Sequence, residues 1–136
     1  RRAAELILGK GRKRIGVMGF AFKGGTDDLR ESPVLTLIEI LLGKGCELKI
    51  YDRHVSLSHL IGANRRYVEE HLPHIAALIV ESLEELVSHT ELIVIGNHDE
   101  QFVEAVQRLE PNQLVIDLIG AVPPSRSPIL YERLTG

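Results

Sequence analysis

The chain has 136 residues, 44% of them hydrophobic and 26% charged, with a formal net charge of −3. That length suffices to bury one core, and the composition is that of a globular domain, not a disordered segment. Charges of both signs are interspersed, so no basic face for nucleic acid is expected, and no apolar run approaches the ~20 residues of a membrane-spanning helix. The single cysteine, Cys46, excludes an internal disulfide and fits a reducing compartment, the cytoplasm being the simplest.

Residues 1–8 read as the tail of a helix that began upstream, stopped by Gly9 and Gly11, with no signal peptide visible; the chain is expected to be a piece of something longer. The basic run Arg12-Lys13-Arg14 is short and reads as a solvated strand entrance. Residues 14–18 form the first strand, reaching Phe22 at most. Residues 34–42 read as a helix with Ser32 as N-cap and Pro33 at the first position. Its core stripe is Leu35, Leu37, Ile38, Leu41 and Leu42, and Gly43 and Gly45 end it. Residues 47–52 alternate as a second strand, completing a right-handed βαβ unit.

Residues 56–72 are interrupted by Gly62, and 64–72 read as a helix of their own. Leu78-Ile79-Val80 reads as a short strand. A helix over 82–89 carries a capping box, Ser82 with Glu85 three residues on. The continuous aliphatic run within 91–96 is that of a central parallel strand. A helix over 99–109 is capped by Asp99. Residues 113–118 read as the final strand, and Pro123, Pro124 and Pro128 mark an irregular tail. The alternation predicts an α/β fold, a Rossmann-like three-layer sandwich with a mostly parallel sheet.

The connection over 19–33, GFAFKGGTDDLRESP, carries more charge than a link between core elements needs. In an open α/β sheet it falls at the edge where ligands bind. The dinucleotide fingerprint Gly-x-Gly-x-x-Gly is not fulfilled, because Gly16-Val17-Met18-Gly19-Phe20-Ala21 lacks its second and third glycines. Lys23, beside Gly24-Gly25, is either a mobile point charge for phosphate or carboxylate or a solvated surface group. Asp27-Asp28 suit metal or phosphoacceptor chemistry, but Asn97 and Asp117 do not complete such a set. Loop hydrogen bonds and pairing with Arg30 are the better reading. Asp52 suits a ribose hydroxyl or a turn. His98-Asp99 suit the crevice or, for Asp99, a cap. The histidines 54, 59, 71, 74, 89 and 98 show no metal-site spacing, and Cys46 reads as a small buried residue.

The 19–33 stretch closely resembles the signature that opens the C-terminal domain of the UDP-glucose/GDP-mannose dehydrogenase family, roughly G-x-x-F-K-x-x-T-D-D-x-R-x-S-P. Gly19, Phe22, Lys23, Thr26, Asp27, Asp28, Arg30, Ser32 and Pro33 all match. The resemblance continues through IYDRHV (50–55), GANRRYVEEHLPHI (62–75) and ELIVIGNHDEQF (91–102), covering nearly the whole chain. Those later segments look more like the family's GDP-mannose branch than its UDP-glucose branch.

The resemblance implies that residues 1–12 end a linking helix and that 13–136 form a sugar-nucleotide-binding Rossmann-like domain. Such enzymes pair it with an N-terminal NAD-binding domain and a central helical domain. They oxidise a sugar C6 alcohol to a carboxylate in two NAD-dependent steps through a thiohemiacetal on a cysteine (GDP-mannose to GDP-mannuronate, or UDP-glucose to UDP-glucuronate), in polysaccharide biosynthesis. Carried over residue by residue, Phe22 and Lys23 contact the substrate, the lysine near its phosphate or carboxylate. Arg30 reaches toward NAD, and Thr26, Asp27, Asp28 and Ser32 shape the loop. The nucleophilic cysteine belongs to the central domain, and Cys46 has no matching context. No catalytic or metal-binding residue is therefore expected here, and the fragment alone is expected to be inactive. The intact enzyme would be a homo-oligomer with a nucleotide-sugar substrate and neither nucleic-acid nor membrane partners. A free-standing nucleotide-binding or regulatory module without catalytic activity is the alternative. A phosphoacceptor receiver domain is disfavoured because the 91–96 strand leads into Asn97-His98, not a phosphorylatable aspartate.

Overall fold

The computed structural model describes residues 2–19, 33–53 and 63–134. Helix α1 (Arg2–Leu8) precedes strand β1 (Arg14–Met18), and helix α2 (Pro33–Gly43) precedes β2 (Glu47–Tyr51). Proline at the first position of α2 costs nothing, since that N–H has no helical partner; the predicted cap Ser32 lies outside the described residues. Helices α3 (Ala63–His71) and α4 (Pro73–Ala76) follow. Helix α5 (Leu83–Ser88) starts where Ser82 Oγ accepts the Glu85 N–H at 3.1 Å. Strand β3 (Leu92–Ile95) leads to α6 (Glu100–Val106), where Asp99 Oδ1 accepts the Gln101 N–H at 3.0 Å. Strand β4 is Leu114–Asp117 and β5 is Tyr131–Arg133.

The five strands pair in the order β2-β1-β3-β4-β5, every pair parallel. Alternation along each strand divides the core. Ile15 and Val17 of β1, Leu92 and Val94 of β3, and Leu114 and Ile116 of β4 face a cluster that takes in Ala4 and Ile7 of α1, Leu35, Ile38 and Leu41 of α2, Val68 of α3 and Ile75 of α4. Met18, Ile93, Ile95 and Val115 face the other cluster, with Leu83 and Leu86 of α5 and Phe102, Val103 and Val106 of α6. Helices on both faces of one parallel sheet make the three-layer sandwich expected from sequence.

Gly16 sets how closely the second face packs. A Cβ there would sit 2.5 Å from Leu86 Cδ2 and 3.0 Å from Thr90 Cγ2, so α5 lies against bare backbone of β1. At the opposite end of the sheet's strands, the basic entrance is paired: Arg14 Nη2 lies 3.6 Å from Glu91 Oε2, and Glu91 Oε1 accepts the Lys13 and Arg14 N–H groups at 3.3 Å.

Two expectations are corrected. Leu78-Ile79-Val80 is not a strand; Ile79 makes one parallel bridge with Ile50. The Ile50 N–H donates to Leu78 O, and the Val80 N–H to Ile50 O. Residues 78–81 run from the end cap of α4, Ala77, to the α5 cap Ser82, and Ile79 carries the one bridge among them. The second correction is that β4 is not the final strand and the tail is not wholly irregular. After a 3₁₀ turn over Pro124–Arg126, β5 pairs with β4 from Val115–Tyr131 to Asp117–Arg133.

A buried carboxylate fastens that added strand. Asp117 is fully buried. Its Oδ1 accepts the Ile119 and Ala121 N–H groups at 3.2 and 3.0 Å. Its Oδ2 accepts the Val122 N–H at 2.9 Å and the Tyr131 hydroxyl at 2.8 Å. Arg133 Nη2 closes the ring on Val122 O at 3.2 Å. Burial pushes the Asp117 pKa up, but the bonds from Val122, Ala121, Tyr131 and Ile119 outweigh it and hold the carboxyl below its ordinary value.

Two stability measurements follow from this packing. Gly16→Ala is expected to cost about 1–3 kcal/mol by overpacking and Leu86→Ala about 2–5 kcal/mol by cavity formation. The double variant should lose less than the sum, because the cavity accepts the new methyl; additive losses in denaturant titrations would show that the two sites do not touch. Asp117→Asn should cost about 2–3 kcal/mol near neutral pH through misdirected hydrogen bonds. Since the folded pKa lies below the unfolded one, the carboxylate's contribution is complete above an ordinary Asp pKa of about 4 and is lost as pH falls through the lower folded value. The gap between wild type and Asp117→Asn should therefore narrow below about pH 4; a gap constant with pH counts against the staple.

Candidate functional site

The chain runs from β1 outward to β2 and then returns to place β3 on the other side of β1. That reversal makes the carboxyl ends of β1 and β3 the topological switch point, where a crevice forms in sheets of this kind. Gly19, Asp52-Arg53 and Gly96-Asn97-His98 stand directly after β1, β2 and β3.

Two glycines let these ends close together. Gly19 has φ +89°, a left-handed backbone that favours glycine. A Cβ on it would fall 2.6 Å from Asn97 Cβ and 2.9 Å from Phe102 Cε2. Its N–H donates to Tyr51 O at 2.8 Å. A Cβ on Gly96 would fall 2.5 Å from Gly19 O and 2.9 Å from Val34 Cγ2, and the Gly96 N–H donates to Met18 O at 2.9 Å. Gly19, just before the 20–32 connection, and Val34, one residue beyond Pro33 at its far end, thus both pack at the switch point. Tyr51 and Phe102 meet edge to face there, centroids 6.4 Å apart at 82°.

Polar side chains join the strand ends. Asp52 is 1% exposed and accepts from Asn97 Nδ2 at 3.2 Å. That burial makes it an internal tie between β2 and β3, not a surface group for a ribose. Arg53 grips Asp99 with two points, Nε to Oδ2 at 3.0 Å and Nη2 to Oδ1 at 3.2 Å, and Nη2 also reaches Gln101 Oε1 at 3.2 Å. Asp99 therefore serves both readings made of it, capping α6 and lining the edge. His98 is exposed beside it.

The residues expected to contact ligand, Phe22, Lys23 and Arg30, and those expected to shape the loop, Thr26, Asp27, Asp28 and Ser32, all lie outside the described residues, as do His54 and His59. Elsewhere, His74 Nε2 pairs with Glu39 Oε2 at 3.0 Å, and His89 Nδ1 lies 3.1 Å from Ser88 Oγ and Glu85 O. Cys46 is half-buried against the first core cluster. Among the described residues no three His, Cys, Asp or Glu side chains come together as a metal group, and no helix is long and apolar enough to cross a membrane. A cavity of about 690 Å³ lies between α5 and α6, floored by Leu83, Val87 and Ala105; Gln101 alone connects its lining to the ties described above. Arg53 is the residue sequence reasoning missed. Its partners stand 46 and 48 positions away, so no local pattern announces them.

The family model described as "UDP-glucose/GDP-mannose dehydrogenase family, UDP binding domain" matches residues 16–124. GDP-mannose 6-dehydrogenase of Pseudomonas aeruginosa is 43% identical over 122 residues, covering 90% of this chain and 28% of that protein. UDP-glucose 6-dehydrogenase of Rickettsia felis is 32% identical over 110 residues, covering 78% of this chain and 22% of that protein. The crystal structure of a ternary complex of the P. aeruginosa GDP-mannose dehydrogenase matches with a TM-score of 0.84 at 40% identity, over 97% of this chain and 30% of that one. The chain thus spans less than a third of the length of these relatives. With the switch-point geometry and these matches together, the chain belongs to the UDP-glucose/GDP-mannose dehydrogenase family, over the part described as its UDP binding domain.

Proposed function

We propose that the chain is the C-terminal, sugar-nucleotide-binding domain of an NAD-dependent nucleotide-sugar 6-dehydrogenase, with GDP-mannose as the substrate favoured over UDP-glucose. The observation that carries this reading is the 43% identity to a GDP-mannose 6-dehydrogenase along nine-tenths of the chain, against 32% to a UDP-glucose 6-dehydrogenase. In this reading residues 1–12 end a linking helix and 13–136 are the domain. The work of the intact protein is oxidation of the sugar C6 alcohol to a carboxylate, in the cytoplasm, by a homo-oligomer serving polysaccharide biosynthesis.

The domain's own part is to hold the nucleotide sugar. Lys23 supplies a compact positive charge to the diphosphate or to the nascent carboxylate, and Phe22 supplies an apolar wall. Thr26, Asp27, Asp28 and Ser32 hold the loop, and Arg30 presents its fixed guanidinium toward the cofactor. NAD serves as the hydride acceptor, but the strand end described here does not fit its pyrophosphate. The fingerprint glycines are absent, and Gly19 O is packed against Gly96 instead of opening into a cradle. The cofactor is accordingly held mainly by another domain, as is the nucleophilic cysteine, with Arg30 the contact from this side.

Calorimetric titration of the 136-residue chain with GDP-mannose, UDP-glucose and NAD in turn is expected to rank them in that order, with no NAD reduction by the chain alone. A preference for NAD over both sugar nucleotides, or dehydrogenase activity of the isolated chain, would overturn the assignment. In the full-length enzyme, Lys23→Ala is expected to lower kcat/KM by about 10–100-fold, the loss of one charge-assisted contact.

A further inference from the structure

Strand β1 lies between β2 and β3, so a side-chain tie from the end of β2 to the end of β3 spans the end of β1. Two such ties leave neighbouring residues. Asp52 takes a hydrogen bond from Asn97, and Arg53 takes hold of Asp99 and Gln101. Gly19, where the chain leaves β1, is in the same contact, since a Cβ there would sit 2.6 Å from Asn97 Cβ.

The Arg53 clamp is a poor candidate for a stability element. Its side chain is 46% exposed, against 15% for Asp99, and ion pairs in that setting contribute little to folding. Asp99 already caps α6 through the Gln101 N–H, a task that needs no arginine. The two-point geometry on one carboxylate contributes direction. A guanidinium fork fixes the orientation of its partner in a way an ammonium cannot.

We propose that Arg53, through Asp99 and Gln101 and alongside the Asn97–Asp52 bond, is a positioning residue that presets the exit of β1 at Gly19 for binding of the nucleotide sugar. This rests on the functional reading above, in which Phe22 and Lys23, a few positions beyond Gly19, meet the substrate. Gly19 is the point at which the chain leaves the sheet toward those residues. With the clamp removed, the binding-competent arrangement becomes one of several, and apparent affinity falls by the fraction of time it is populated. The reacting groups belong to other parts of the enzyme, so the loss falls on the KM for the nucleotide sugar and leaves kcat in place.

Steady-state kinetics of the full-length enzyme test this. Arg53→Ala is expected to raise the KM for the nucleotide sugar about tenfold, with kcat and the KM for NAD within about twofold of wild type. Arg53→Lys should recover only part of the loss. Asp99→Asn, which keeps an N-cap, should show the same KM effect, and Arg53→Ala with Asp99→Asn should be no worse than Arg53→Ala alone. Arg126→Ala, which removes an ion pair of 2.8 Å to Glu100 in the same first turn of α6 without touching the strand ends, should change none of these values. An active wild type whose nucleotide-sugar KM is indifferent to Arg53→Ala, or a variant that loses kcat and melting temperature together at constant KM, overturns the clamp. A wild type that oxidises neither GDP-mannose nor UDP-glucose overturns the functional reading, and this inference with it.

Discussion

Strand β1, paired on both sides by β2 and β3, can take its place only because the side chains that crowd it have somewhere to go. Leu86 occupies the space a side chain at residue 16 would fill, and Asn97 with Phe102 occupies the space beside residue 19. Gly96 in turn admits the Gly19 carbonyl and Val34. A missing Cβ within β1 allows α5 to lie flush on the sheet, and missing Cβ atoms just after β1 and β3 allow their ends to converge. The placing of both flanks of the 20–32 connection and the reach of Arg53 to Asp99 depend on that convergence.

Two carboxylates at strand ends illustrate how one residue type is put to separate uses by its surroundings. Asp117, the last residue of β4, is enclosed by three backbone N–H groups and a phenol. It holds the turn over 119–122 and the added strand β5. Asp52, after β2, is equally buried but bonds across the end of β1 to Asn97. A buried carboxylate is tolerated only when its lone pairs are met. One of them stabilises an edge of the sheet, and the other ties the ends of β2 and β3.

Legibility varied with how local each cause is. The aliphatic run Leu92-Ile93-Val94-Ile95 could be read as a central parallel strand because both of its faces are buried. Ser82 and Asp99 announced α5 and α6 because a cap acts within three residues. Tyr131-Glu132-Arg133 could not be read as β5: it has no apolar period, and its pairing is secured by a hydroxyl–carboxylate bond 14 residues apart. Leu78-Ile79-Val80 misled for the converse reason. Its composition is that of a strand, but between the flanking caps it makes a single bridge.

For the candidate site the division is sharper. The stretch over 19–33 was legible from sequence as a charged connection and, through family resemblance, as the signature that opens the family's C-terminal domain. Alternating apolar runs, caps and glycines determined the α/β class and the element order, because those signals act over a few residues of chain. Only the tertiary structure decided that β3 returns to the far side of β1, that Asp52 turns inward, and that Arg53 meets Asp99 and Gln101. Those outcomes depend on which strand ends become neighbours, a property of the folded sheet that no local spacing encodes.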